Sequence, residues 1–190
     1  MDLIFTSDSL SSMQPLVDVA NKQGHRILKH IGSNDQAAYY VELMHPDTLI
    51  FICHEIDHTA LNEMRNISDR RPTPILVFTQ ETDPVSIDKA VKAGASSIVV
   101  GCDDPTRLGS LLDVARARFE DQRQLKDELN KTKKALNERK IIEKAKGIIM
   151  KTKNLSEDQA YSSMRKLAMN HNKSISELAE QIITAAEVLA

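Results

Sequence analysis

The sequence predicts an α/β protein with a parallel sheet, followed by an all-α segment. Two observations support this fold class. Short apolar runs alternate five times with segments of helical spacing over residues 1–119, the pattern of a doubly wound parallel sheet. From residue 113 to residue 150 there is no proline and one glycine, and Lys, Glu, Leu, Arg and Gln, which favour helix, dominate. With 41% hydrophobic residues among 190, the chain can bury an ordinary core.

The predicted strands are the short apolar runs. Two of them, residues 48–53 and 74–79, are almost continuously apolar, which is typical of central parallel strands buried on both faces. The five predicted strands cover residues 3–6, 25–28, 48–53, 74–79 and 97–100.

A helix is predicted after each strand. Gly24 and Gly94 follow the first and fourth helices, in the position where a left-handed residue ends a helix. The alternation of strands and helices requires right-handed crossovers and therefore helices on both faces of the sheet. The predicted helices cover residues 9–23, 35–44, 58–68, 84–93 and a segment from residue 105 onward.

A weak coiled-coil seam runs through the segment that follows. Leu125, Leu129, Thr132 and Leu136 have the 4-3-4 spacing of a and d positions. Extended backwards the same spacing includes polar residues, so a solvated connecting helix is the alternative. We interpret residues 113–140 as a coiled-coil linker helix and expect dimerisation through Leu125, Leu129 and Leu136.

The last part of the chain, residues 137–190, predicts a small unit of three helices. Apolar residues recur at helical spacing in each, and the first helix breaks near residue 154. Ser156, followed by two acidic residues, is a good N-cap, and Ser174 and Ser176 are both candidate caps for the last helix.

The charges are divided unevenly along the chain. The formal net charge is −2, but residues 1–119 carry 11 basic and 16 acidic residues, whereas residues 131–173 carry 12 basic and 4 acidic ones. Such an asymmetry indicates nucleic-acid contact at the basic end.

Several other classes of protein are excluded or disfavoured. No apolar run is long enough for a membrane helix, and the N-terminus lacks the features of a signal peptide. Cys53 and Cys102 are too few and too scattered for a disulfide framework or a zinc site, which suits a reduced cytoplasm. Tryptophan is absent and aromatic residues make up 4%, so an extended aromatic stacking platform is not expected.

In layout, residues 1–119 resemble the receiver domain of bacterial two-component response regulators, a flavodoxin-like (βα)5 fold. The resemblance lies in Pro46-Asp47 before strand 3, residues 74–79 on strand 4 and Gly94-Ala95 before strand 5. It implies a phosphorylation site with an acidic pair that binds Mg²⁺, an Asp nucleophile, a Thr or Ser, and a Lys. Carboxylates suit a hard cation, and a cation with a hydroxyl donor stabilises the phosphoryl charge.

The residues at these positions depart from the pattern. Asp8 stands alone after strand 1, Ile52 occupies the nucleophile position, Thr79 is retained, and Gly101 replaces the lysine. We therefore expect a pseudo-receiver that is not phosphorylated, that is not an enzyme and that needs no cofactor or metal.

Other nucleophiles near strand 3 are disfavoured. Glu55 or Asp57 could replace the missing Asp only if the register slipped. Cys53 and His54 would point to opposite faces of a strand and could not act as a catalytic pair.

The basic segment carries the most specific motif. It runs RKIIEKAKGIIM over residues 139–150, then LSEDQAY over residues 155–161 and MRKLAM over residues 164–169. These stretches resemble the ANTAR domain, with Ile149 and Met164 in place of leucines. The resemblance covers residues 137–190.

The order of pseudo-receiver, coiled-coil helix and three-helix ANTAR domain resembles the AmiR/NasT family of antiterminators, and its nitrate- and nitrite-responsive members most. The resemblance implies binding to a two-hexaloop hairpin in leader mRNA, which prevents an intrinsic terminator from forming in the transcript that RNA polymerase is making. It also implies control by a ligand-sensing NasS-like partner rather than by phosphorylation, a homodimer in the active state, and a cytoplasmic location.

The candidate RNA-binding residues are the cations and amides of this segment. Lysine and arginine would contact phosphates, and asparagine and arginine could recognise loop bases. Tyr161 could stack on a base, although core packing is favoured. The candidates are Arg139, Lys140, Lys144, Lys146, Gly147, Lys151, Arg165, Lys166, Asn170, Asn172 and Lys173. The alternatives are a DNA-binding response regulator, which the acidic last helix disfavours, and a protein-interaction adaptor.

Overall fold

The computed structural model describes residues 1–7, 9–32, 36–101 and 104–188. The chain divides into two compact units, Met1–Arg123 and Gln124–Ala190, and each is described by itself.

The first unit contains a five-stranded parallel sheet in the order β2-β1-β3-β4-β5, which confirms the predicted doubly wound fold. All six residues of β3 are buried, as its apolar sequence predicted. The strand at the edge, β2, continues past the predicted end at residue 28. The prediction stopped too early because polar residues at exposed positions interrupt the apolar run. The strands are β1 (Asp2–Ser7), β2 (Arg26–Ile31), β3 (Thr48–Cys53), β4 (Ile75–Thr79) and β5 (Ser97–Val100).

Helices cover both faces of this sheet. One core packs α2, α3 and α4 against the sheet, and a second core packs α1 and the first turns of α5 against the other face. Gly94 ends α4 with φ 115°, and a Cβ there would lie 1.8 Å from the Ser68 hydroxyl, so no larger residue fits without displacement. The first four helices are α1 (Leu10–Lys22), α2 (Ala37–Met44), α3 (His58–Arg70) and α4 (Pro84–Ala93).

A single helix of 46 residues, α5 (Leu108–Lys153), follows a short 3-10 turn at Pro105–Arg107. It includes three segments that the sequence analysis separated: the fifth helix, the linker and the first helix of the terminal unit. Gly147 does not interrupt it, since one glycine within strong helix formers costs only about 1 kcal/mol. Residues 120–137 of α5 are exposed throughout.

The second unit packs the last part of α5 with α6 (Glu157–Asn170) and α7 (Ile175–Val188). Ser156 caps α6, and its hydroxyl and the Gln159 side chain form a reciprocal capping box. Ser174, rather than Ser176, caps α7, because its hydroxyl accepts from the amide of Glu177 at 3.2 Å. The core consists of Ala145, Ile149, Ala160, Met164, Ala168, Leu178 and Ala179. In the described part of the chain, the helices are too short or too polar to cross a membrane.

Candidate nucleic-acid interface

A basic stripe runs along one face of α5 in the second unit. Lys140, Lys144, Gly147 and Lys151 are spaced i, i+4, i+7 and i+11, which places them within a narrow sector at 100° per residue. All three lysines are exposed, and the core residue Ala145 lies on another side of the helix. This periodicity is present in the sequence and aligns the charges on one face of the helix.

Gly147 lies within the stripe and leaves a gap in it. A Cβ at this position would meet no atom within 4 Å, so internal packing does not require glycine here. The absence of a side chain instead lowers the surface between Lys144 and Lys151, where a partner's backbone can approach closely.

Lys146 is separated from the stripe. Only 7% of it is exposed, and its ammonium contacts Oε2 of Glu143 at 2.6 Å and Oε1 of Glu157 at 2.7 Å. The hydrogen bonds that the ammonium donates, to Glu143 first and to Glu157 second, raise the pKa of Lys146, and the bond to Glu157 lowers the pKa of Glu157. The structure therefore places Lys146 between two carboxylates. Arg139, two turns earlier on α5, is exposed.

Lys144 has a carboxylate neighbour too, but of a different kind. Its Nζ lies 2.9 Å from Oε1 of Glu187 on α7, and both side chains are more than half exposed. Such exposed pairs contribute little in water and separate readily. Lys144 is thus available to an external anion in a way that Lys146 is not.

Helix α6 presents an exposed ridge of Tyr161, Arg165 and Met169, spaced four residues apart. The expectation that Tyr161 packs in the core is wrong, because 42% of it is exposed. Ala160 and Met164 occupy the core-facing positions, and Tyr161 is rotated about 100° from Ala160. Lys166 is also exposed, on a neighbouring face.

The connection between α6 and α7 is a tight, exposed turn. Asn172 has φ 51°, and the amide of Lys173 donates to the carbonyl of Ala168 at 3.0 Å. Asn170, at the end of α6, is exposed as well. Asn172 and Lys173 line an open depression of about 820 Å³ together with Glu177 and Glu180 of α7.

The seam residues of α5 are fully available for contact. Leu125, Leu129 and Leu136 are more than half exposed and lie on one side of the helix, although leucine is normally buried. A second copy of the helix would cover them.

The described positions of the predicted degenerate receiver site, residues 52, 79 and 101, lie at the carboxyl ends of the strands. Ile52 is buried in the core under α1, and Gly101 has φ 60° and donates its amide to the carbonyl of Thr79 at 3.0 Å. Asp57, considered above as a substitute carboxylate, caps α3 by accepting from the amide of Ala60 at 2.7 Å. Asp8 and Cys102 lie outside the described residues. Within the ranges described, no cluster of three His, Cys, Asp or Glu residues could hold a metal ion.

Comparison with known proteins supports the division into two units. Residues 130–183 match the family model of the ANTAR domain. The chain is 24% identical over 181 residues to the transcriptional regulatory protein PdtaR of Mycobacterium tuberculosis, which covers 95% of this chain and 88% of that protein. It is 39% identical over 74 residues to the nitrate regulatory protein of Klebsiella oxytoca, and this match spans 39% of the chain but only 19% of that protein.

The fold of the first unit has known counterparts. The response regulator domain of Thermotoga maritima CheB superposes with a TM-score of 0.52 at 15% identity, covering 63% of this chain and 96% of that domain. This likeness confirms the flavodoxin-like receiver fold. The similar sequences are named as regulatory proteins rather than as enzymes.

Proposed function

This chain joins a receiver-type unit to an ANTAR domain, and on that premise we propose that it is a transcription antitermination regulator that binds hairpin RNA in leader transcripts. The observation that carries the proposal is the exposed stripe of Lys140, Lys144 and Lys151 on one face of α5. Aligned cations of this kind contact successive phosphates of a nucleic-acid backbone.

Recognition of loop bases is assigned to α6 and the turn after it. Sequence-specific RNA binding uses unstacked loop bases that stack on aromatic or guanidinium planes and form hydrogen bonds along their edges. Tyr161 and Arg165 supply the planes, and Asn170 and Asn172 supply amide donors and acceptors. Lys166 and Lys173 add charge beside them.

The active form that we propose is a homodimer through α5, which gives one ANTAR domain for each of two hexanucleotide loops. With Leu129 and Leu136 at a positions and Leu125 and Thr132 at d positions, the four seam residues form two heptads. Their exposure in the single chain supports this use, because a coiled coil would bury them.

The charges beside the seam favour a parallel dimer. Asp121 and Glu128 fall at g positions, and Lys126 and Lys133 fall at e positions. In a parallel coiled coil Asp121 faces Lys126 of the partner subunit and Glu128 faces Lys133 of the partner subunit. An antiparallel pair would instead place g opposite g and e opposite e, so that like charges would meet.

The control of this activity is assigned to a partner. Ile52 stands where a receiver has its Asp acceptor, and Gly101 stands where it has its Lys. Without these groups for phosphorylation, the first unit is suited to hold a ligand-sensing, NasS-like protein that sequesters the regulator. The match to a nitrate regulatory protein supports nitrate and nitrite assimilation genes as the source of the regulated transcripts. The RNA signal would act on the RNA polymerase that is making the transcript.

One binding experiment separates this function from its alternatives. The full chain is titrated with a leader RNA that carries two hexanucleotide loops, with the same RNA whose loops are closed by base pairs, and with duplex DNA of equal length, across a salt series. Tight binding to the first RNA alone is expected. Preference for duplex DNA would identify a DNA-binding regulator, and weak, equal binding to all three would leave a protein-interaction adaptor.

A further inference from the structure

We propose that Lys146 is a positioning residue that fastens α6 to α5 and does not itself contact RNA. This inference rests on the proposed RNA-binding function, and it reassigns a residue that the motif alone would place among the phosphate contacts.

The geometry places the Lys146 ammonium at the corner between the two helices. Glu143 stands one turn earlier on α5, and Glu157 is the first residue of α6. The ammonium contacts both carboxylates, at 2.6 and 2.7 Å, and the side chain is almost fully buried. One cation therefore links the two helices across the short break at residues 154–156.

The charge at this corner opposes a second role in phosphate binding. Two carboxylates surround one ammonium, so the three groups together carry a net charge of −1. Two of the three N–H donors of the ammonium are already used. A phosphate would gain one donor at most and would be repelled by Glu143 and Glu157, whereas Lys144 and Lys151 offer exposed side chains on the stripe of the same helix.

The corner determines where the base-recognising residues stand. Tyr161 lies one turn beyond Glu157, and Arg165 lies one turn further. A shift of the first turn of α6 moves both residues relative to the stripe on α5. Loss of the Lys146 contacts should therefore weaken RNA binding through displacement of α6.

The test combines hydrogen exchange with RNA binding, on the full chain and the two-loop RNA. Lys146→Met is expected to speed amide exchange in the first two turns of α6 and to lower RNA affinity several-fold. The slope of log affinity against log salt should stay unchanged, because no phosphate contact is lost. Lys146→Arg keeps a cation between the carboxylates and should restore much of the affinity. Lys140→Gln should do the reverse of Lys146→Met: a salt slope lower by about 0.7–1 with unchanged exchange in α6.

A matched pair on α6 tests the same link without changing a basic residue. Glu157→Gln removes a carboxylate at the Lys146 ammonium, and Asp158→Asn removes one in the same helical turn that is not at that ammonium. Faster exchange in α6 is expected for Glu157→Gln beyond any change that Asp158→Asn causes.

The outcomes decide the role of Lys146 separately from the proposed function. A salt slope lowered by about 1 in Lys146→Met with unchanged exchange in α6 would overturn the inference and make Lys146 a phosphate contact. Equal exchange in wild type, Lys146→Met and Glu157→Gln would also overturn it. If the wild-type chain binds no RNA, the proposed function falls, while the exchange data still establish or reject the link.

Discussion

The hydroxyl of Thr79 donates a hydrogen bond to the carbonyl oxygen of His54 at 3.0 Å. The same hydroxyl accepts from the amide of Glu81 at 3.0 Å, so this side chain, which is retained from the receiver pattern, ties the β4–α4 loop to the β3–α3 loop. A hydroxyl that is engaged in this way stabilises the two loops. In a phosphorylated receiver it would contact the phosphoryl group, and Ile52 has no carboxylate that could accept that group.

We expect no phosphorylation of the first unit. Incubation with acetyl phosphate and Mg²⁺ should give no acid-stable, base-labile adduct, because Ile52 has no carboxylate and Gly101 has no ammonium. Mass spectrometry of the intact chain measures this, with an ordinary receiver domain treated in parallel as the positive control. A stoichiometric adduct would contradict the pseudo-receiver assignment.

The two hydrogen bonds of the Thr79 hydroxyl should contribute to the free energy of unfolding. Thr79→Val keeps the shape but removes both hydrogen bonds at a buried position, which should lower the free energy of unfolding by about 1–3 kcal/mol. Thr79→Ser keeps the hydroxyl and should lose clearly less. Urea unfolding followed by circular dichroism compares the two, and a Thr79→Val variant as stable as the wild type would show that the hydroxyl does not stabilise the fold.

How far the sequence determined this structure differs between elements. β3, α4 and β5 have the predicted bounds, because a continuous apolar run or a proline and a glycine mark their ends. β2 was predicted too short, since Lys29 and His30 face solvent at the sheet edge and interrupt the apolar pattern.

The candidate site was predictable in its residue types but not in its contacts. The lysine spacing on α5 is present in the sequence, so the stripe could be derived from it. The pairing of Lys146 with Glu157 joins residues on different helices and depends on how the corner folds. The exposure of Tyr161 likewise depends on which face of α6 the small core occupies.

Each lysine of the stripe should contribute one phosphate contact. Replacing Lys140, Lys144 or Lys151 singly by Gln should lower RNA affinity and reduce the salt slope by about 0.7–1. Lys134→Gln, an exposed lysine on another face of α5, is the matched control and should change the slope less. Equal slopes in all four variants would refute the assignment of the stripe to phosphates.

Tyr161 should contribute to RNA binding far more than to folding. Tyr161→Ala is expected to weaken binding to the two-loop RNA by about 1–3 kcal/mol, the usual contribution of one stacked base, whereas Tyr161→Phe keeps the ring and should bind nearly normally. The unfolding midpoint should change little, since the side chain is exposed. If Tyr161→Ala binds as tightly as wild type, the base platform lies elsewhere.

If the coiled coil is parallel, exchanging the charges at positions 128 and 133 should first weaken and then restore the dimer. Glu128→Lys would place two lysines opposite each other at both symmetric contacts and should weaken the dimer, by about 0.5–1 kcal/mol per contact. The double variant Glu128→Lys with Lys133→Glu restores opposite charges and should recover dimerisation. Sedimentation equilibrium measures both. In an antiparallel dimer residues 128 and 133 do not face each other, so the second substitution would not specifically reverse the effect of the first.

The link between Lys146 and Glu157 should give the second unit a defined pH range of full stability. The pKa of Glu157 is lowered by Lys146, so its stabilising effect is complete above the ordinary glutamate pKa, about 4.3, and is lost as the pH falls through the lower folded value. The pKa of Lys146 is raised, so its effect is complete below the ordinary lysine pKa, about 10.4, and is lost as the pH rises through the higher folded value.

The free energy of unfolding of wild type minus that of Glu157→Gln, measured by urea titration at a series of pH values, should therefore be largest between these limits and shrink at both ends. The same difference for Asp158→Asn should lack the alkaline decline, because Asp158 is not at the Lys146 ammonium. A Glu157→Gln difference that stays constant from neutral to strongly alkaline pH would show that the ammonium of Lys146 does not stabilise the fold through this carboxylate.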